Sequence, residues 1–127
     1  MNGSGEVYLS SGLGYPEGEM DKCPGKLDRY KIETVMPSEL LKKYVKDGQK
    51  VLVKIDIEGN EHTIFTHEPS MKALRECDYV CMEVHWYALH GGLVSEVREK
   101  TQAALDSFKA THDCELDNVH FWARKKH

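Results

Sequence analysis

No apolar run in this 127-residue chain approaches the ~18 residues that a membrane-crossing helix needs. No stretch has the charged, apolar and small-residue zones of a secretory leader either. The expected setting is therefore cytoplasmic, without a membrane partner and with reduced thiols. Cysteine is scarce: four residues, at 23, 77, 81 and 114, of which only Cys77 and Cys81 stand close together. A structural zinc site wants two short pairs, so one Cys-x3-Cys spacing speaks against metal or disulfide staples. Cys81 lies inside an apolar run and reads as a small buried hydrophobe. An excess of positive charge is also lacking. Seventeen Lys and Arg against 21 Asp and Glu leave a net charge of −4, which argues against a nucleic-acid or anionic-lipid surface. The one basic cluster, Arg124 to Lys126, is short and terminal and reads as solvated. Repeats and low-complexity segments are absent.

A third glycine is missing where it would matter. Gly12-x-Gly14 follows a short strand expected at Glu6–Leu9, but neither the remaining glycine nor an amphipathic helix follows, so a nucleotide-phosphate loop is not expected. Residues 10–29 are rich in glycine, proline and serine and read as a flexible surface loop. What remains has 40% apolar and 30% charged residues, ordinary for a soluble protein and enough to form a single domain over 1–127.

Tyr30–Val35 alternates as a strand does. Pro37 and Ser38 then open a helix reaching Val45, with Leu40, Leu41, Tyr44 and Val45 on its apolar face and Asp47-Gly48 at its end. A strand is expected from Lys50 to Ile57, and Asn60 can cap a helix carrying Glu61, His62, Ile64 and Phe65. Pro69-Ser70 restarts that helix, with Met71, Leu74 and Cys77 as its inward-facing candidates. Tyr79–His85 is a second apolar strand. Leu93 to about Ala110 has Leu93, Val94, Val97, Ala104, Leu105 and Phe108 on one stripe and forms the longest expected helix. Asp113–Leu116 and Val119–Arg124 bracket Asp117-Asn118 as a terminal hairpin. Strands alternating with helices imply an α/β fold, with parallel central strands and a C-terminal antiparallel hairpin.

The stretch Val51–Glu61 carries the chemistry. Lys54, Asp56 and Glu58 stand at alternate positions of an apolar strand, and the next strand ends in Glu83 and His85. Parallel neighbours present their carboxyl ends at one edge, where α/β proteins bind ligands. Asp56, Glu58, Glu83 and His85 should converge there, with Glu61 and His62 opening the helix that leaves the same edge. Three chemistries fit. A carboxylate beside His85 can serve as a general base, two or three carboxylates with a histidine can hold a divalent cation, or the group can hydrogen-bond a polar ligand. The bland alternative is a Lys54–Glu83 ion pair with the other carboxylates capping turns. His62, His67, His90, His112 and His120 are expected at the surface.

Val53-Lys-Ile-Asp-Ile-Glu-Gly-Asn-Glu61 resembles the signature of FkbM-type methyltransferases, Lys-Ile-Asp-Val-Glu-Gly-x-Glu. The following helix, the strand ending Glu83-Val-His85, the preceding Ile32–Val45 segment and the terminal hairpin are compatible, so the resemblance spans roughly 6–125. It implies a Rossmann-like fold and S-adenosylmethionine as methyl donor, with a small-molecule or glycan hydroxyl as acceptor. Asp56, Glu58 and His85 would be catalytic, and Glu61 and Glu83 would bind the acceptor. No metal is implied, and residues that bind the donor are not identified. The family's glycine loop and its ribose-binding acid come before this stretch, and Gly3, Gly5, Gly12 and Gly14 do not reproduce them. The chain therefore reads as the carboxyl-terminal half of a methyltransferase domain, to be completed by an N-terminal half or by a second copy in a homodimer. Two other classes stay open: a noncatalytic binding or oligomerisation module, and a metal-dependent hydrolase built on Asp56, Glu58, Glu83 and His85.

Overall fold

The computed structural model describes residues 5–10, 13–16, 30–86 and 94–127. Twelve elements follow one another: β1 (Gly5–Ser10), β2 (Leu13–Pro16), β3 (Tyr30–Thr34), α1 (Pro37–Tyr44), β4 (Leu52–Ile55), α2 (Glu61–Phe65), α3 (Glu68–Arg75), β5 (Tyr79–Glu83), α4 (Val94–Asp106), a 3-10 turn (Ser107–Ala110), β6 (His112–Asp117) and β7 (His120–Lys125). Four strands form a mixed sheet in the order β4-β5-β7-β6. β4 and β5 are parallel, β7 is antiparallel to β5, and β6 is antiparallel to β7. The chain is thus α/β, with the expected parallel pair and the expected terminal hairpin.

Two features differ from expectation. β3 does not join the parallel pair. It runs antiparallel to β1, which also pairs with β2, in a separate three-stranded sheet. Alternation marks a strand but does not choose its neighbour. β2 also falls inside 10–29, where a loop was expected; residues 11–12 and 17–29, with Gly12, Cys23 and the Cys-Pro-Gly turn, lie outside the described residues. So do His90 and Leu93.

α1 starts as expected with Pro37 in its first turn and ends before Gly48, whose φ of +82° suits glycine. Its apolar face, however, is largely uncovered. Leu41 packs on the core, whereas Leu40 and Val45 are exposed and Tyr44 is 66% exposed. Amphipathic spacing tells which face wants cover, not what supplies it. α3 opens with Pro69 in its first turn, as expected; His67 caps it, Nδ1 accepting from the Ser70 N–H at 3.3 Å, and Ser70 Oγ also accepts from the Ser38 N–H at 3.2 Å. This ties α3 to α1.

The core lies under the four-stranded sheet. Ile55, Val80, Met82, Phe121 and Ala123 project from it against Ile64, Met71, Leu74, Leu105 and Phe108 of the helical layer. The start of β4 is latched to the turn before β5: Val51 N–H donates to Asp78 Oδ2 at 2.8 Å, and Asp78 and Tyr79 N–H donate back to the Val51 carbonyl. His112 is a correction to the surface expectation. It is 1% exposed, its Nε2–H donates to the Cys77 carbonyl at 2.7 Å, and Phe108 packs edge-on against its ring. An imidazole is buried readily once its polar edge is satisfied.

Cys77 is buried, facing inward as expected, whereas Cys81 is half-buried rather than buried. Burial, then the nearby charges of Asp78 and Glu76, pushes the Cys77 thiol up from its ordinary 9.0 to about 11. A two-unit rise lowers the thiolate fraction at neutral pH roughly 100-fold. Native protein treated with iodoacetamide at pH 8 should therefore leave Cys77 unlabelled, and denaturant should expose it. Peptide mapping that finds Cys77 labelled at the rate of a free thiol would contradict this packing. The raised thiol also favours the folded state below pH 9, and that share of stability is lost as pH rises through the interval from 9.0 to about 11.

Candidate functional site

β4 stops at Ile55, which pairs with Met82 of β5, one residue short of that strand's end. Because the strands are parallel, residues 56–58 and 83–85 leave the sheet at the same edge. Val84 is fully buried and its N–H donates to the Val119 carbonyl at 2.7 Å, which anchors the exit of β5 to the hairpin turn. Asp56 and Ile57 continue beyond the strand, and then the backbone turns sharply. Glu58 adopts φ +52° and Gly59 φ +97° before α2 begins. Gly59 accommodates this region without a Cβ penalty; Glu58 does not, and its side chain is swung toward β5.

Glu61, the first residue of α2, organises the site from below. It is fully buried, and both of its oxygens are engaged. Oε2 accepts from the Gly59 N–H at 2.9 Å. Oε1 accepts from the His85 N–H at 2.7 Å and from His85 Nδ1 at 2.6 Å. A carboxylate only accepts, so Nδ1 carries the hydrogen and Nε2 is turned the other way. There Nε2 meets Glu58 Oε2 at 3.5 Å and Glu83 Oε1 at 3.8 Å. His85 is 8% exposed, Glu58 and Glu83 are partly exposed, and Asp56 is exposed. One ligand atom from each of Asp56, Glu58 and His85 lies within 4.8 Å of the other two.

A second clasp sits behind the ring. His62 Nε2–H donates to the His85 carbonyl at 2.5 Å, and the other nitrogen of His62 meets Thr101 Oγ1 on α4 at 3.2 Å. Thr101 is fully buried. The His62 ring therefore ties α2 both to α4 and to the backbone of His85. His62 was expected at the surface and is instead half-buried, because α2 lies directly over the exit of β5. Thr101 carried a legible signal: a hydroxyl on the otherwise apolar stripe of α4 that also holds Ala104 and Leu105. Asn60 holds the expected cap position, but its amide reaches back to the Ile57 carbonyl at 3.3 Å rather than forward to the helix.

The structure thus brings together all five residues singled out from the sequence. Asp56, Glu58, Glu83 and His85 form an open rim, and Glu61 lies beneath it. Glu83 faces His85 and not Lys54, which is exposed. A hollow of about 240 Å3 lies between α1 and the β4 entrance, touching Leu41, Val51 and Cys77. Another of about 350 Å3 lies between α3 and α4, touching Phe65, Arg75 and Ala104. Neither touches the rim, and neither is a built nucleoside pocket.

The profile of the methyltransferase FkbM domain matches residues 11–116. No curated protein and no solved structure matches the chain significantly. The matched span takes in β4, the turn through Glu58 and Gly59, α2, β5 and the whole of the rim, and it covers most of the sequence. The chain belongs to the methyltransferase FkbM domain family.

Proposed function

We propose that this chain supplies the acceptor side of an O-methyl transfer site, with Asp56, Glu58 and His85 at the acceptor oxygen. The observation that supports it most is the buried Glu61–His85 pair, which aims an imidazole nitrogen into a rim of carboxylates. Methyl transfer to a hydroxyl needs the acceptor oxygen aligned and its proton removed. Asp56 and Glu58 orient a hydroxyl from a small molecule or glycan, Glu83 hydrogen-bonds a neighbouring polar group, and His85 Nε2 receives the proton. Glu61 acts as a positioning residue, because its carboxylate is consumed inside the protein. The fold is read as part of a Rossmann-like sheet on the strength of the parallel β4–β5 pair with helices in its crossover.

Family membership points to S-adenosylmethionine as donor, and neither of the two hollows described above lies at the rim. The completing surface has a candidate. β4 is the outer strand of the four-stranded sheet, and Leu52 on it is 65% exposed. An outer strand with an apolar side chain turned to solvent invites pairing with another strand. We read β4 as the contact between two copies, so that the donor site is completed in a dimer. Calorimetric titration with S-adenosylmethionine, with the oligomeric state read by sedimentation on the same sample, tests this. Binding at tens of micromolar by a dimer is the expected outcome. No binding at 1 mM donor would overturn the enzymatic reading and leave a noncatalytic module; a strictly monomeric binder would overturn the β4 contact.

A further inference from the structure

We infer that the rim formed by Asp56, Glu58 and His85 is a divalent-cation site of the Mn2+ and Mg2+ class. Carboxylates gathered at a surface would not carry this alone. The independent observation is the treatment of the imidazole. His85 is buried, and a second carboxylate outside the rim, that of Glu61, accepts its Nδ1–H at 2.6 Å. A histidine that ligates through one nitrogen characteristically donates the hydrogen of the other to a carboxylate, which fixes the ring and raises its basicity. Glu61 is fully buried and also accepts the His85 backbone N–H, so ring and backbone are locked by one group. The His85 carbonyl is fixed in turn by His62.

The spacing suits a cation. Two ligands at about 2.1 Å from one ion lie at most about 4.2 Å apart when trans and about 3 Å apart when cis. Nε2 and Glu58 Oε2 are 3.5 Å apart, and one donor atom from each of the three residues falls within 4.8 Å of the others. Carboxylate movements of roughly half an ångström or more close the set, and Asp56, exposed, and Glu58, partly exposed, have room to make them. Two oxygens and one imidazole leave about three positions of an octahedron to water, which the open rim provides. Mixed carboxylate and imidazole ligation with water favours Mn2+ over thiolate-seeking metals. The formal charge also balances, two carboxylates against one dication, with Glu83 at 3.8 Å from Nε2 as a further anionic neighbour.

Resting on the acceptor-side reading above, the cation narrows the substrate class. Two water positions can be replaced by two adjacent oxygens, so the acceptor is a chelating one: a vicinal diol, a catechol or a 2-hydroxy acid. With His85 Nε2 on the cation, the proton-accepting role given to it above would pass to Glu83 or solvent, and the dication would stabilise the acceptor as its oxyanion. A sulfonium donor, when bound, would supply the methyl group, its C–S bond breaking as the C–O bond forms.

The test uses the full chain, stripped with chelator and titrated with MnCl2, read by the loss of the free-ion paramagnetic signal. One ion per chain with a dissociation constant below about 100 µM is expected. Asp56→Asn and Glu58→Gln should each weaken binding at least about tenfold while melting as the parent does. Glu61→Gln should weaken it about 10–100-fold, the range seen when the outer partner of a ligating histidine is removed. Asp113→Asn, on an exposed stretch of β6, should change nothing. The bound Mn2+ should broaden the His85 ring protons selectively. Binding weaker than 1 mM, or binding indifferent to Asp56 and Glu58, overturns the site. The two readings fail separately: Mn2+ binding without donor binding would sink methyl transfer and keep the metal, and the reverse would return His85 to the role of direct base.

Discussion

Glu61→Ala is expected to be among the most damaging single substitutions in the chain, lowering stability by roughly 3–5 kcal/mol. The side chain is fully buried and accepts three hydrogen bonds, from Gly59 N–H, His85 N–H and His85 Nδ1–H. Alanine removes every acceptor and leaves three donors in a space water does not reach. A domain of this length has a total stability of roughly 5–15 kcal/mol, so the loss should appear as a fall in Tm on the order of 10–15 °C. Glu61→Gln separates charge from shape. Its amide oxygen can keep the two bonds to His85, but its NH2 then faces the Gly59 N–H, donor against donor. That variant should lose about 1.5–3 kcal/mol, between parent and alanine. Thermal unfolding of the three proteins decides it. A Tm for Glu61→Ala within about 3 °C of the parent would mean that the carboxylate does not hold the turn and His85 together.

The consequence for the site is a separate readout. With Glu61 intact, His85 is one tautomer in one orientation, with Nε2 toward Glu58 and Glu83. With glutamine, a flip of the amide turns its NH2 to Nδ1, which then accepts instead of donating, and the tautomer is no longer dictated. Nitrogen chemical shifts of the His85 ring should move from those of an Nδ1–H imidazole toward a mixture. A merely space-filling Glu61 would leave them unchanged.

Alternation and apolar runs were enough to place β4, β5, α4 and the hairpin, and parallel pairing was enough to bring residues 56–58 and 83–85 to one edge. That came from geometry that any parallel pair shares. The details that make the edge a site were not legible, because they depend on depth. Glu61 read as an acid at the start of α2, available to bind the acceptor. It turns inward because the left-handed pair Glu58-Gly59 reverses the chain and lays α2 over the exit of β5. The same reversal half-buries His62 and lets Thr101, one helix away, reach it. β3 shows the opposite gap. Its strand character was plain, but its partner, β1, is chosen by backbone pairing that residue type does not encode. α1 shows a third: Leu40, Tyr44 and Val45 make a good apolar face, and within the described residues that face is left to solvent.

Asp56→Asn is expected to reduce methyl transfer by the assembled protein about 10²–10⁴-fold, the usual worth of a group acting directly at a proton transfer or on the reacting oxygen. The substitution keeps size and shape while removing a negative charge and one strong acceptor. Asp56 is exposed, beyond the last hydrogen-bonded residue of β4, so it carries little of the fold. Stability should stay within about 0.5 kcal/mol. That pairing of a large kinetic effect with an unchanged Tm distinguishes Asp56 from Glu61, where both move together. S-adenosylhomocysteine formation over a panel of hydroxyl-bearing small molecules and glycans supplies the rate, and chelating diols and catechols should lead the panel. If Asp56 acts on the bound acceptor during the reaction, kcat and kcat/KM fall together; if it only helps the acceptor to bind, KM rises alone. Turnover unchanged in the variant would remove Asp56 from the site, and with it the reason that three acidic side chains stand where β4 and β5 end.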